Sequence, residues 1–151
     1  MKRILLTMMA ICCTLAAWSD NIVFADANVK AICVANWDTN SDGELSDAEA
    51  AAVQYLGDVF RSNSTITSFD ELQYFTGLES IQEFAFEGCY GLTSIEISNS
   101  VTSIRGSAFR NCSGLTSVTI PNSVTSIGNH AFYDCSGLNK VIVKDLSLIH
   151  I

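Results

Sequence analysis

From Ile81 onward the apolar positions of the chain return every 23 residues without a gap. Ile81, Ile104 and Ile127 are followed by Ala85, Ala108 and Ala131, by Phe86, Phe109 and Phe132, and by Cys89, Cys112 and Cys135. Gly91, Gly114 and Gly137 then precede Leu92, Leu115 and Leu138, after which Ile95 and Ile97, Val118 and Ile120, and Val141 and Val143 alternate with polar residues. Such alternation predicts a half-buried strand. A fixed period of this length marks a stacked repeat, because one unit cannot bury its own apolar face and its neighbours must cover it. Each unit reads as a strand around L-T-S-V-T-I, a turn such as Pro121 to Ser123, a second extended piece V-T-S-I, and a tight helical turn carrying Ala-Phe. Stacking sets strands about 4.8 Å apart, with equivalent side chains in ladders. The predicted fold is a β-rich leucine-rich-repeat solenoid with a small α-helical cap at its N-terminal end.

Upstream the pattern weakens. Ile66 to Phe69 is similar to V-T-S-I, and Gly77, Leu78 and Ile81 are similar to G-L-x-x-V, so residues 65–143 are expected to hold one shortened unit and three full or partial ones. Residues 18–64 predict the cap. Val29 to Trp37 is apolar at helical spacing, and Ser46 to Leu56 is alanine-rich with Glu49 in its first turn. Between them Asp38 to Glu49 reads D-T-N-S-D-G-E-L-S-D-A-E, which fits the EF-hand calcium-loop pattern at every diagnostic position.

Calcium takes six to eight oxygens, and the loop offers them in the expected order. Asp38, Asn40 and Asp42 supply side-chain oxygens, Glu44 its backbone carbonyl, Ser46 a bridging water, and Glu49 a bidentate carboxylate. Gly43 permits the sharp turn, and Leu45 is expected to point into the core. The alternative is an acidic turn in which Ser46 caps a helix and no metal binds. A single loop suits a structural staple better than a paired sensor, and a dockerin-like assembly device would need a second loop.

The units, for example S-G-L-T-S-V-T-I-P-N-S-V-T-S-I-G-N-H-A-F-Y-D-C, resemble the BspA-like leucine-rich repeats of bacterial surface proteins, over about Ile66 to Val143. The resemblance implies an extracellular protein that adheres to host proteins or to other cells. Ser98 stands where Pro121 stands one unit later, a minor change in the turn.

Charge and the termini extend this picture. Met1, Lys2 and Arg3 followed by the apolar run Ile4 to Ala17 have the layout of a secretory leader at residues 1–17, with Ala16, Ala17 and Ala25 as candidate cleavage positions. That run is about fourteen residues, shorter than the roughly 18 that span a bilayer, so no transmembrane segment is expected. The chain carries a net charge of −8, which argues against a nucleic-acid partner. Residues 144–151 do not continue the repeat and are read as a truncated or artefactual tail.

In an oxidising compartment the three ladder cysteines invite a disulfide. Their side chains run parallel along the stack, so buried structural thiols are expected instead, with Cys33 a separate helix residue. No C-x-x-C pair suggests zinc. His130 and His150 are the only histidines, neither falls in a catalytic pattern, and no G-x-S-x-G, H-E-x-x-H or phosphate-binding loop occurs. Trp37 is expected to pack in the cap. The expected function is therefore binding and not catalysis: a secreted or surface module that meets a host or neighbouring-cell surface protein or glycan, with calcium as a structural cofactor. The rival reading is a targeting appendage of an exported enzyme whose catalytic domain lies elsewhere in a longer product.

Overall fold

The computed structural model describes residues 19–144. The leader at residues 1–17 and the tail from residue 145, His150 included, lie outside the described residues. Two helices come first, α1 (Ala27–Trp37) and α2 (Asp47–Ala52). The strands β1 (Ser68–Phe69), β2 (Ser80–Ile81), β3 (Ser94–Glu96), β4 (Ser103–Ile104), β5 (Ser117–Pro121), β6 (Ser126–Ile127) and β7 (Lys140–Lys144) follow, with a 3-10 helix, Asp70–Tyr74, between the first two.

The strands form two parallel sheets, β1-β3-β5-β7 and β2-β4-β6. Their register reproduces the sequence period: Ser94 pairs with Ser117 and Ser117 with Lys140 in the first sheet, and Ser80 with Ser103 and Ser103 with Ser126 in the second. Each of the first three units contributes one rung to each sheet and β7 adds a fourth to the first; the inward residues as far as Ile120 belong to a single buried cluster with the helical turns, whereas Ile127, Val141 and Val143 on the last rungs are exposed. In those turns the rings of Phe86, Phe109 and Phe132 stack at centroid separations of 5.1 Å, nearly parallel. Ser98 and Pro121 build the same turn, since the carbonyl of each accepts from the valine three residues on. The buried Ser98 hydroxyl is satisfied by Ser100, 3.0 Å away.

The first unit departs from expectation. Ser68 pairs with Ser94, 26 residues on, whereas Ser80 pairs with Ser103 at the regular 23. Ile66 to Phe69 is thus the counterpart of L-T-S-V and Leu78 to Ile81 that of V-T-S-I, the reverse of the assignment made from sequence. The unit is not shortened but lengthened by three residues, which the 3-10 helix takes up. It also begins earlier. Phe60 stacks on Phe86 at 5.2 Å, so the aromatic ladder starts inside the stretch assigned to the cap. Val59 to Phe69 (V-F-R-S-N-S-T-I-T-S-F) aligns without a gap with Ala108 to Val118 (A-F-R-N-C-S-G-L-T-S-V).

α2 also ends four residues sooner than its alanine content predicts. A Cβ built on Gly77 would lie 2.8 Å from the Val53 carbonyl oxygen and closer still to that of Ala51. Gly137 faces the Ser113 and Leu115 carbonyls of the unit before it in the same way, at 2.6 and 3.2 Å. Ala51 to Val53 therefore serves as the preceding rung for Gly77, and packing overrides helix propensity.

The free end of β1 is closed by one side chain. Asp26 caps α1 with Oδ1, which accepts from the N–H groups of Asn28 and Val29 at 2.8 and 3.4 Å. Its Oδ2 accepts from both the N–H and the hydroxyl of Thr67, at 2.5 and 2.8 Å. Along the ladder the same two donors of Thr93 meet the Thr67 carbonyl, and those of Thr116 meet the Thr93 carbonyl. The carboxylate thus occupies the place of a carbonyl from a rung that does not exist. Burial pushes the Asp26 carboxyl up, but the bonds from Thr67, then Asn28 and Val29, outweigh it and hold it below the usual range.

The ladder cysteines are buried and unpaired, as the parallel arrangement predicts. Each thiol donates to a phenylalanine carbonyl of the preceding unit at 3.0 Å: Cys89 to Phe60, Cys112 to Phe86 and Cys135 to Phe109. Cys135 draws the Cys112 thiol down, while Cys89 and burial raise it more, to about 12. The neighbouring Cys112 thiol and then burial raise Cys135, and burial with nearby Glu71 raises Cys33.

Two outcomes follow. Asp26→Ala removes a helix cap, typically ~1 kcal/mol, and charge-assisted bonds of ~1.5–3 kcal/mol, so chemical denaturation should show a loss of about 2–4 kcal/mol at neutral pH. Because the folded carboxyl is held low, its contribution is complete above the unfolded value of about 3.9 and fades as pH falls from there through the folded value, so wild type and variant should converge in acid. Cys33, Cys112 and Cys135 should resist alkylation in the folded protein and react freely in denaturant, as read by mass spectrometry of each peptide. At Cys112 a value near 12 leaves on the order of a thousandfold less thiolate than an ordinary cysteine.

Candidate metal-binding loop and exposed faces

α1 and α2 flank the acidic loop, and Ser46 opens α2 with a capping box. The Ser46 hydroxyl accepts from the Glu49 N–H at 3.3 Å, while Glu49 Oε2 accepts from the Ser46 N–H at 3.0 Å and its hydroxyl at 2.8 Å. The other Glu49 oxygen reaches back to the start of the loop, where it accepts from the N–H and hydroxyl of Thr39, both at 2.9 Å, and from the Asn40 N–H at 3.3 Å. One carboxylate therefore ties the two ends of the loop together. Hydrogen bonding from the Ser46 N–H, joined by the Ser46 hydroxyl and the Thr39 donors, outweighs burial and draws Glu49 down to about 2.

Within the loop each acceptor is clamped by a backbone donor. Asp38 accepts from Ser41 and Gly43 at 2.7 and 2.9 Å, Asn40 from Asp42 at 2.9 Å, and Asp42 from Glu44 at 2.9 Å. Gly43 has φ 84°, and a Cβ there would meet nothing within 4 Å. The glycine answers to backbone conformation and not to space. The Glu44 carboxylate is engaged by Lys30 at 2.7 Å. Leu45 is fully buried, as expected.

Among the described residues no three or more His, Cys, Asp or Glu side chains are gathered around a common point for a metal. In this arrangement the acids of the loop are turned to its own N–H groups. The donor set is nevertheless all oxygen, with three carboxylates, Asp38, Asp42 and Glu49, and the one nearby base taken by Glu44. That chemistry fits a hard divalent cation. Asp38, Asn40, Asp42 and Glu49 would hold it with side chains, Glu44 with its carbonyl and Ser46 through water.

The segment ahead of α1, expected only as part of the cap, connects the loop to the first unit. Asn21 forms an antiparallel bridge with Ser46, the Ile22 N–H donates to the Leu45 carbonyl at 2.8 Å, and the Asp47 N–H donates to the Asp20 carbonyl at 3.0 Å. The Ala25 N–H donates to Oε1 of buried Glu71 at 2.7 Å, while Glu71 Oε2 has no partner among the described residues. An N-cap signal was present at Asp26, three residues before Val29 opens the apolar helical pattern. Nothing local marked its second bond to Thr67.

The remaining singled-out residues settle simply. Trp37 is half-buried and packs edge-on against Phe75 at 5.5 Å. His130 is exposed beside Tyr133. On the outer face Glu87 pairs with Arg61 at 2.7 Å, with Arg110 at 3.8 Å. The threonine rows are less free than their exposure suggests. Thr93, Thr116, Thr102 and Thr125 each donate their hydroxyl to the preceding rung's carbonyl, at 2.8 to 3.2 Å, leaving only acceptor capacity outward.

No curated protein matches the chain. Among solved structures, a leucine rich cell surface protein from Faecalibacterium prausnitzii A2-165 is similar, with 35% identity and a TM-score of 0.46. The similarity covers 48% of this chain and 19% of that one. Residues 58–151 match the family described as the BspA type leucine rich repeat region (6 copies), whose first matched residues coincide with the turn of Phe60. By that match the chain belongs to the BspA-type leucine-rich-repeat family.

Proposed function

We propose that this protein is an exported, surface-acting binding scaffold whose partner is a host or neighbouring-cell surface protein or glycan. The observation that carries the reading is the fixed parallel register of both sheets, which holds equivalent polar side chains in rows on a rigid surface. Membership of a repeat family of surface proteins and the leader-like start of the chain support the same direction.

The loop 38–49 binds calcium in this reading and acts as a staple. Its oxygen donors, the left-handed Gly43 and the Glu49 carboxylate that spans both ends of the loop support that role. With free calcium near 100 times the dissociation constant, occupancy adds about 2.7 kcal/mol. The effect reaches the solenoid through residues 20–26, which bond to Leu45 on one side and to Glu71 and Thr67 on the other.

Thermal melting in millimolar calcium and in excess chelator, with Glu49→Gln alongside, tests the staple. A calcium-dependent rise in Tm that the variant lacks is expected, and equal melting in all samples would remove the metal from the account. Solid-phase binding of the full chain to immobilised matrix proteins and glycans tests the scaffold. Saturable binding to at least one is expected, and its absence from all would count against a binding role.

A further inference from the structure

The geometry points to a groove along the second sheet that binds a neutral carbohydrate chain. This rests on the binding-scaffold reading and narrows it to one face and one ligand class. Two cavities open along β2, β4 and β6 and meet at Arg105. The smaller, about 240 Å³, lies where the cap joins the first unit and is lined by Gln54, Tyr55, Glu79 and Arg105. The larger, about 680 Å³, continues past Glu83 and Asn129.

Charge selects the ligand. Arg105 is exposed and, among the described residues, makes no ion pair, with Glu79 lining one side of it and Glu83 the other. A polyanion meets two carboxylates, and a polycation meets the guanidinium, so an ion of either sign is repelled by part of the groove. A hydroxyl both donates and accepts, so it can pair with Glu79, Arg105 and Glu83 in turn, and with the amides of Gln54 and Asn129. The net charge of −8 adds to the bias against sulfated or nucleic-acid chains.

Shape supplies the second argument. Tyr55 is 71% exposed at the mouth of the smaller cavity, and no aromatic or cationic neighbour stacks on its ring among the described residues. An exposed aromatic face beside convergent polar groups suits the apolar face of a pyranose ring, with the phenol still in water. The walls include Ser80 of β2 and Ser103 and Ile104 of β4, with Glu79 and Arg105 one residue outside these strands and Tyr55 on the segment after α2.

Affinity electrophoresis of the full chain in gels containing mixed-linkage β-glucan, xylan or galactomannan, with heparin in parallel, tests this. Retardation by at least one neutral polysaccharide and none by heparin is expected. Tyr55→Ala and Arg105→Ala should each weaken it about tenfold or more, while Tyr90→Ala, away from the groove, should not, and melting of all variants should be unchanged. No retardation by any neutral polysaccharide, equal retardation of every variant, or Arg105-dependent retention by heparin would each overturn the proposal. Binding to immobilised matrix proteins that survives Tyr55→Ala, without polysaccharide retention, would overturn the groove and leave the scaffold standing. Binding to nothing would remove both.

Discussion

A parallel ladder has to begin somewhere, and the donors of its first strand have no earlier carbonyl to receive them. Here the deficit falls on the N–H and hydroxyl of Thr67, and the Asp26 carboxylate meets both. Its other oxygen takes two N–H groups at the start of α1. An ionised carboxylate can accept four such bonds because it has no proton of its own to place. An amide or hydroxyl at this position would fill only part of the set. One anion thus joins the helix of the cap to the first rung, and the later rungs inherit their alignment from it.

That fixed point adds a backbone link between the acidic loop and the solenoid to the burial of Leu45 in their shared core. Residues 20–26 lie along Leu45 and Ser46, pass the buried carboxylate of Glu71, and end at Asp26. The segment is short and bonded at both ends, so order in the loop and order in the first unit are linked through backbone. In the proposed holo form, a cation that orders the loop would act on the same few bonds.

The regular part of this fold was legible because its constraints are local and repeated. Phe86, Phe109, Phe132 and the cysteines recur at one spacing, and the structure stacks each set as that spacing requires. The first unit escaped because three extra residues broke the period, although V-F-R-S-N-S-T-I-T-S-F still carried the pattern. The two kinds of strand share the pattern apolar-polar-Ser-apolar, so only pairing could assign Ile66 to Phe69 to the first sheet and Leu78 to Ile81 to the second. The order of oxygens in residues 38–49 was legible as a motif, but the bonds of Asp38, Asn40 and Asp42 to the loop's own N–H groups were not. The bonds of Asp26 to Thr67 and of Ile22 to Leu45 were not, since they join residues 41 and 23 apart with no motif in common.

Past β1 the junctions reuse the same bonds, a threonine to a carbonyl, a thiol to a carbonyl and a phenylalanine to a phenylalanine, except that at the last one Asn139 replaces the threonine and meets the Thr116 carbonyl with its N–H alone. No unit needs to know its place in the stack. Copy number in a gene of this kind is then nearly neutral for folding, since a duplicated segment of 23 residues meets on either side the surface it already fits. Each copy would lengthen the array by about 4.8 Å without redesign of the cap. Reach, and with it the number of simultaneous contacts to a polymeric ligand, becomes a quantity that recombination can adjust in fixed increments.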